Sequence, residues 1–271
     1  VCAVSYLNTA PLVYGFRQQP HADLSLEMAL PAVCAERLRD GAADIGLVPV
    51  AEIARQRLAI LGDCGIACEG EVRSILLFSR KPWTEVRTLA GDSSSRTSVL
   101  LAQVVLRERY QAQVQLHPHP PNLEAMLGAH DAALIIGDPA LHLEPSHPGY
   151  HCLDLGAEWL RLTGLPMVFA AWAGQRLVVE AASPEPFARS LALGLQNLDA
   201  IVEEEAPLRG ISPALAREYL RRNIRYQLGE REFAGMQAFL DRAVDYGLLA
   251  ADAVPHLAMP AAHPLSQDRR Q

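Results

Sequence analysis

The sequence predicts an α/β protein of two lobes, and three observations carry that expectation. Short runs rich in Val, Ile and Leu alternate with helical stretches up to about residue 175. Beyond Pro184 only helical periodicity remains, and no repeat, linker or low-complexity tract divides the chain. With 271 residues, half of them hydrophobic, the chain is long enough for a sizeable core and too apolar for disorder. Its 24 Lys and Arg against 31 Asp and Glu give a formal charge of −7, which argues against a nucleic-acid partner. An apolar run of about 20 residues, the minimum for a membrane helix, is absent, so no membrane partner is expected either.

Taken in order, the apolar runs place strands at 1–5, 24–30, 43–48, 73–79, 86–91, 114–116, 132–136 and 166–173. Helices are expected between them at 32–40, 50–57, 95–110, 123–127 and 157–162, on both faces of mostly parallel sheet. In the tail, Phe187, Leu191, Leu195, Leu198 and Val202 recur at helical spacing, as do Phe233, Met236, Leu240 and Val244, with Gly247 as a C-cap. Such stripes need something to cover, so the tail is expected to pack back on the first lobe. That gives a discontinuous first lobe, 1–78 and 171–271, and an inserted α/β lobe, 79–170. Two crossings, at 73–79 and 166–173, imply a hinge and a ligand cleft. The residues from Pro260 read as frayed.

Five cysteines, at 2, 34, 64, 68 and 152, form no disulfide framework and read as buried thiols of a reducing compartment. Cys64 and Cys68 lack the second pair a zinc site needs, and the nine histidines are scattered, His117-Pro118-His119-Pro120-Pro121 among them as a loop. No metal is expected. Val1-Cys2-Ala3-Val4 reads as a strand without the pattern of an export signal, which sets the expectation of a cytoplasmic protein.

Two loops carry polar chemistry. Ser5-Tyr6-Leu7-Asn8-Thr9-Ala10-Pro11 follows the first strand, where ligands of open α/β sheets bind. Asn8 and Thr9 offer uncharged donors and acceptors; the plainer alternative is that one of them caps the helix starting near Pro11. Gly91-Asp92-Ser93-Ser94-Ser95-Arg96-Thr97-Ser98 joins a strand to a buried helix, and its N–H groups, hydroxyls and one guanidinium suit a carboxylate. A helix cap needs one side chain rather than five, which favours an anion site over a serine-rich cap with Arg96 in water. Of two Asp-Gly-Pro turns, Asp138 follows its strand and is expected to face the cleft, whereas Asp44 stabilises a turn. Thr163-Gly164-Leu165-Pro166 reads as a turn feeding a buried strand, and Glu203-Glu204-Glu205 as a solvated helix face. From the residues alone, the protein is a two-lobed binder of a small anion.

Five blocks then carry a resemblance: Ser5-Tyr6-Leu7-Asn8-Thr9, Asp44-Ile45-Gly46-Leu47-Val48-Pro49, Ser94-Ser95-Arg96-Thr97-Ser98, Ile136-Gly137-Asp138, and Asp154-Leu155-Gly156 through Thr163-Gly164-Leu165-Pro166. In this order they resemble the chorismate dehydratases of the futalosine route of bacterial menaquinone biosynthesis. The sister dihydroxynaphthoate synthases look different at the first block. The resemblance implies a type II periplasmic-binding-protein-like fold, a hydro-lyase converting chorismate to 3-[(1-carboxyvinyl)oxy]benzoate, and no cofactor. It casts Asn8 and Asp138 as catalytic candidates and Ser5, Thr9, Ser94, Ser95, Arg96, Thr97 and Gly137 as substrate-binding ones. With no general base in either polar loop, the substrate's own enolpyruvyl carboxylate is the expected proton acceptor, Asp138 the protein-borne alternative. One departure is Cys68, where the family pattern leads to a small hydroxyl residue in the cleft wall. The competing expectations are a solute-binding protein for a small carboxylate anion and, more distantly, a cytosolic ligand-sensing domain.

Overall fold

The computed structural model describes residues 1–19, 24–146 and 149–253. In chain order the elements are β1 (Cys2–Val4), α1 (Ala10–Gln18), β2 (Glu27–Ala29), α2 (Pro31–Arg39), β3 (Ile45–Pro49), α3 (Val50–Gln56), β4 (Ala59–Cys68), β5 (Ile75–Ser79), β6 (Thr88–Asp92) and α4 (Thr97–Tyr110). There follow β7 (Gln115–His119), α5 (Leu123–Ala129), β8 (Ala132–Ile136), α6 (Asp138–Leu141), β9 (His151–Asp154), α7 (Leu155–Thr163) and β10 (Met167–Gly174). The tail adds α8 (Arg176–Ala181), α9 (Glu185–Gln196), α10 (Leu198–Leu208), α11 (Pro213–Glu218), β11 (Arg225–Gln227) and α12 (Glu230–Asp245).

The strands form two sheets, ordered β11-β4-β10-β3-β1-β2 and β7-β6-β8-β5-β9. Both are mixed rather than mostly parallel: β10 runs antiparallel to β3 and β4, and β5 antiparallel to β8 and β9. These reversals occur where the chain passes from one lobe to the other, because a strand arriving from the partner lobe enters from the opposite end. Sheet membership also moves the expected boundaries. Ile75–Ser79 belongs to the second sheet and Met167–Gly174 to the first, so the crossings lie just before each strand rather than within it. Asp154 pins the first crossing, accepting the N–H groups of Val72 and Arg73 at 3.0 and 2.7 Å while capping α7 through Gly156 and Ala157.

Three strands escaped the sequence pattern. In β4, Gly62, Asp63 and Gly65 interrupt the apolar run, yet the strand is held on both sides by β10 and β11. Gly65 is required there: a Cβ would stand 2.5 Å from the Ala170 carbonyl oxygen. The short β9 and β11 are edge strands whose pairing, not composition, makes them strands. Of the His-Pro run, His117-Pro118-His119 is strand rather than loop, since β7 pairs in parallel with β6 at an edge that tolerates Pro118, while Pro120 and Pro121 follow it outside the strand.

The tail packs back as expected and does more. Phe187 lies edge-on to Trp172 of β10 and to Phe16 of α1. The first stripe is broken at Asn197 into α9 and α10, leaving Leu195 exposed because it falls on the outer side of the break. Helix α12 packs on β10 and α3 of the first lobe and reaches the second, where Phe239 lies edge-on to Trp159 and Arg242 pairs with Glu108 at 3.0 Å. Gly247 (φ +68°) follows α12 as the expected left-handed cap. The stretch from Pro260 lies outside the described residues. No helix among the described residues is long and apolar enough to cross a membrane.

Candidate functional site

A cleft with about 490 Å³ of empty space lies between the two sheets, at the carboxyl ends of β1, β3, β6 and β8. From the first lobe it is walled by Val4, Tyr6, Asn8, Pro31 and Pro49, and from the second by Ser74, Ile75, Ile136, Gly137 and residues 95–98. The floor is apolar, with Ile66, Phe169 and Ala170 on it, so polar recognition is concentrated in a few groups.

The loop after β1 is a single tight turn, residues 7–9, leading straight into α1, and neither Asn8 nor Thr9 makes the side-chain cap bond of the plainer alternative. Asn8 lines the cleft, and its Nδ2 donates to the Tyr219 hydroxyl at 3.0 Å. Thr9 is fully buried behind it, its hydroxyl 3.5 Å from Asn8 Oδ1. Ser5 is not on the wall; its carbonyl accepts Arg209 Nη2 at 3.3 Å.

The loop after β6 is not a serine cap either, since Arg96 occupies the N-cap position of α4 without a side-chain bond. Its hydroxyls divide into spent and available ones. Ser94 Oγ donates to Asp92 at 2.8 Å and meets the Tyr6 hydroxyl at 3.0 Å, a contact across the cleft. Thr97 Oγ1 accepts the Ala51 N–H and donates to the Phe169 carbonyl, both at 3.2 Å, and so ties three elements together. Ser95 differs: its buried hydroxyl lines the cleft and has no hydrogen-bond partner among the described residues. The first turn of α4 borders the cleft through Thr97 and Ser98, and the first N–H groups of a helix have no partner within it. Arg96 is neither in water nor aimed wholly at the cleft. It donates to the Ser93 and Ser95 carbonyls at 3.0 and 3.1 Å and sits 3.8 Å from Glu36 and from Glu52. Its positive charge still borders the cleft, and among the described residues it is the only formal charge on the walls.

Asp138 does not face the cleft. One carboxylate oxygen accepts the Leu7 N–H at 2.9 Å and the other accepts Arg209 Nε at 2.9 Å. Burial pushes its carboxyl up, opposed by the Leu7 N–H and the Arg209 guanidinium. The turn before it brings Gly137 (φ +67°) onto the wall, where a Cβ would stand 2.5 Å from the Tyr6 ring. Cys68 also lies away from the cleft: it is fully buried, with its sulfur against Gly156, and burial raises its thiol. The side chain that replaces the expected hydroxyl thus leaves the wall, which β4 supplies through Ile66, unaffected. Glu205 is not a solvated residue: only 5% exposed, it pairs with Arg17 at 2.7 Å and with Arg209.

Several residues of the site were missed by sequence reasoning. Arg209, four residues beyond Glu205 at the end of α10, had an acid–base spacing as its only signal. Tyr219 and Ser74 had none; they meet Asn8 only through the fold. Asp92, which holds Ser94, was in view but is fully enclosed, and burial pushes its carboxyl up. Among the described residues no group of three or more His, Cys, Asp or Glu side chains is placed to hold a metal ion. His117 and His130 stack at 4.6 Å without lining the cleft, and the five thiols are free.

Residues 1–245 match the family described as menaquinone biosynthesis. A chorismate dehydratase from Thermus thermophilus is 31% identical over 259 residues, covering 87% of this chain and 92% of its own. One from Campylobacter jejuni is 27% identical over 175 residues, covering 63% of this chain and 65% of its own. Among solved structures, a protein from Archaeoglobus fulgidus superposes with TM-score 0.71 at 16% identity, covering 92% of this chain and 97% of the other. The periplasmic aliphatic sulphonate binding protein of Escherichia coli gives 0.65 at 14% identity, covering 97% and 93%. At these identities the likeness is one of fold, and the fold is that of the periplasmic binding proteins.

Proposed function

The chain belongs to the menaquinone-biosynthesis family, and on that premise we infer that it is a hydro-lyase acting on chorismate. The reaction removes a ring proton and the neighbouring hydroxyl, releases water and leaves 3-[(1-carboxyvinyl)oxy]benzoate. Aromatisation drives it, so the protein's task is to hold the substrate and stabilise charge as it shifts. The observation that carries the reading is the cleft's combination of an unpartnered buried Ser95 hydroxyl, the start of α4 and Arg96 above an apolar floor. Such a wall suits the ring carboxylate, with the apolar floor against the ring.

Asn8 lines the opposite wall, which supports its orienting the departing hydroxyl or the side-chain carboxylate. The engagement of both Asp138 oxygens supports the substrate-assisted route, in which the enolpyruvyl carboxylate takes the ring proton and passes it to the leaving hydroxyl. A protein base contributes roughly 10²–10⁴-fold, which makes the two routes separable. Asp138→Asn should keep turnover within about tenfold, while Asn8→Ala loses far more. Loss of about 10²-fold or more in Asp138→Asn would restore Asp138 as the base.

The first test is purified protein with chorismate and EDTA, product being followed by chromatography and mass spectrometry. Catalytic turnover supports the reading; binding without product makes this a solute-binding protein instead. A cytoplasmic location fits five free cysteines, four of them buried.

A further inference from the structure

Among the described residues Asn8 is the one polar side chain besides Tyr6 that the first lobe presents to the cleft, and its amide is a poor orienter by itself. The torsion that turns an asparagine amide is broad and nearly two-fold, so an outside partner must decide which atom faces the substrate. The structure supplies one from the far end of the chain. Tyr219, 1% exposed, opens a π-helical turn, residues 219–223, that ends with the Ile224 N–H on the Tyr219 carbonyl at 3.2 Å. Such turns insert one residue into a helix and recur at functional sites. Here the turn directs a phenol inward to Asn8 of the first lobe and Ser74 at the start of the second.

We propose that Tyr219 is a positioning residue for the elimination, fixing the amide of Asn8 from behind the cleft wall; the proposal rests on the chorismate reading above. Proton count gives the direction. The phenol, kept neutral by burial, has one proton and donates it to Ser74 Oγ at 2.8 Å. Its oxygen therefore accepts from Asn8 Nδ2, at 3.0 Å. A flipped amide would set Asn8 Oδ1 against an oxygen with no proton left to give. Among the described residues the only other hydrogen bond of that amide is from the Thr9 hydroxyl, 3.5 Å from Oδ1 and too long to hold it. Ser74 is itself fixed, because its carbonyl accepts the Gly137 N–H at 2.8 Å. The chain Asn8–Tyr219–Ser74–Gly137 thus joins the two facing walls and sets one against the other.

The test is Tyr219→Phe, which keeps the buried ring and removes only the hydroxyl, measured alone and in an Asn8→Ala background. Displacing a reacting group by about 1 Å costs on the order of 10²-fold, so kcat should fall by about 10–100-fold. KM should move by less than about threefold, a split that general loosening of the fold does not produce. In the Asn8→Ala background the same change should have no further effect, within about twofold, because the group it positions is gone. If Asn8→Ala turns over too slowly to time, the chorismate Kd of that variant and of the double variant should coincide. Full kcat in Tyr219→Phe, or an equal loss in both backgrounds, overturns the proposal, as does a Kd that differs between the two Asn8→Ala proteins. Absence of turnover in the unaltered protein would overturn the chorismate reading and this inference with it, whereas turnover with an indifferent Tyr219 overturns the inference alone.

Discussion

Replacing Gly137 by alanine perturbs the cleft where its wall meets the Tyr6 ring. The residue sits at φ +67° and ψ −148°, a conformation that side chains avoid, and holding alanine there costs about 1–3 kcal/mol. At about 2–4 °C per kcal/mol for a chain of this size, the melting temperature should fall by roughly 2–12 °C. A second cost bears on function. The new Cβ would stand 2.5 Å from the Tyr6 ring, where ordinary contact begins at 3.4 Å. The ring has to retreat by the difference, yet its hydroxyl is tethered across the cleft to Ser94 at 3.0 Å. Tyr6 and the Asn8 turn behind it therefore shift together, or the cleft opens. Either displacement, close to 1 Å, should lower kcat/KM for chorismate by about 10–100-fold. Thermal melting and initial rates of product formation measure the two costs separately. Full kcat/KM together with a melting temperature within about a degree of the unaltered protein would refute both the strain and the role of the Tyr6–Gly137 contact.

Three further outcomes are expected. Ser95→Ala should lower kcat/KM by roughly 10-fold or more while leaving the melting temperature nearly unchanged, because its hydroxyl has no partner among the described residues. Ser94→Ala should act mainly on stability, costing about 1–3 kcal/mol by removing the hydroxyl that bonds both the Tyr6 hydroxyl and the Asp92 carboxylate, which keeps the Ser94 N–H; equal behaviour of the two variants would refute the division. Asp131 carries a pH dependence: the Lys81 ammonium at 2.6 Å, with the Arg87 and Thr88 N–H groups, holds its carboxyl down at about 2. A depressed acid stabilises above its unfolded value near 3.9 and loses that contribution as pH falls through about 2. With Lys81 half exposed, the contribution is about 1 kcal/mol, so Asp131→Asn should melt a few degrees lower at pH 5 and match the unaltered protein near pH 2. A gap that persists to the lowest pH would exclude the linkage.

Sequence and structure agree wherever a local rule governs. The strands around Val4, Leu47, Leu77 and Leu134 follow from apolar runs, and α4 from an apolar stretch begun by a polar loop. The two polar loops were legible as a site because strand ends in an α/β sheet leave N–H groups and short polar side chains facing a cleft. Which hydroxyl of the serine loop is available was not legible. Ser94, Ser95 and Thr97 are alike in sequence, but Asp92, Ala51 and Phe169 occupy two of them and leave the third.

The same division separates Asp138 and Glu205 from their expected roles. Each was placed by its own neighbours in sequence, and each is turned by a cation from elsewhere: Arg209 for Asp138, Arg17 and Arg209 for Glu205. Sequence by itself determined the α/β class, the returning helical tail and the two loops that face each other, since periodicity, capping and charge act over a few residues. Only the tertiary structure decided the mixed strand directions, the partners of Asp138 and the meeting of Asn8, Ser74 and Tyr219. Those contacts join residues 145 and 211 positions apart, and no local preference encodes a hydrogen bond that exists only after two lobes and a tail have closed on one another.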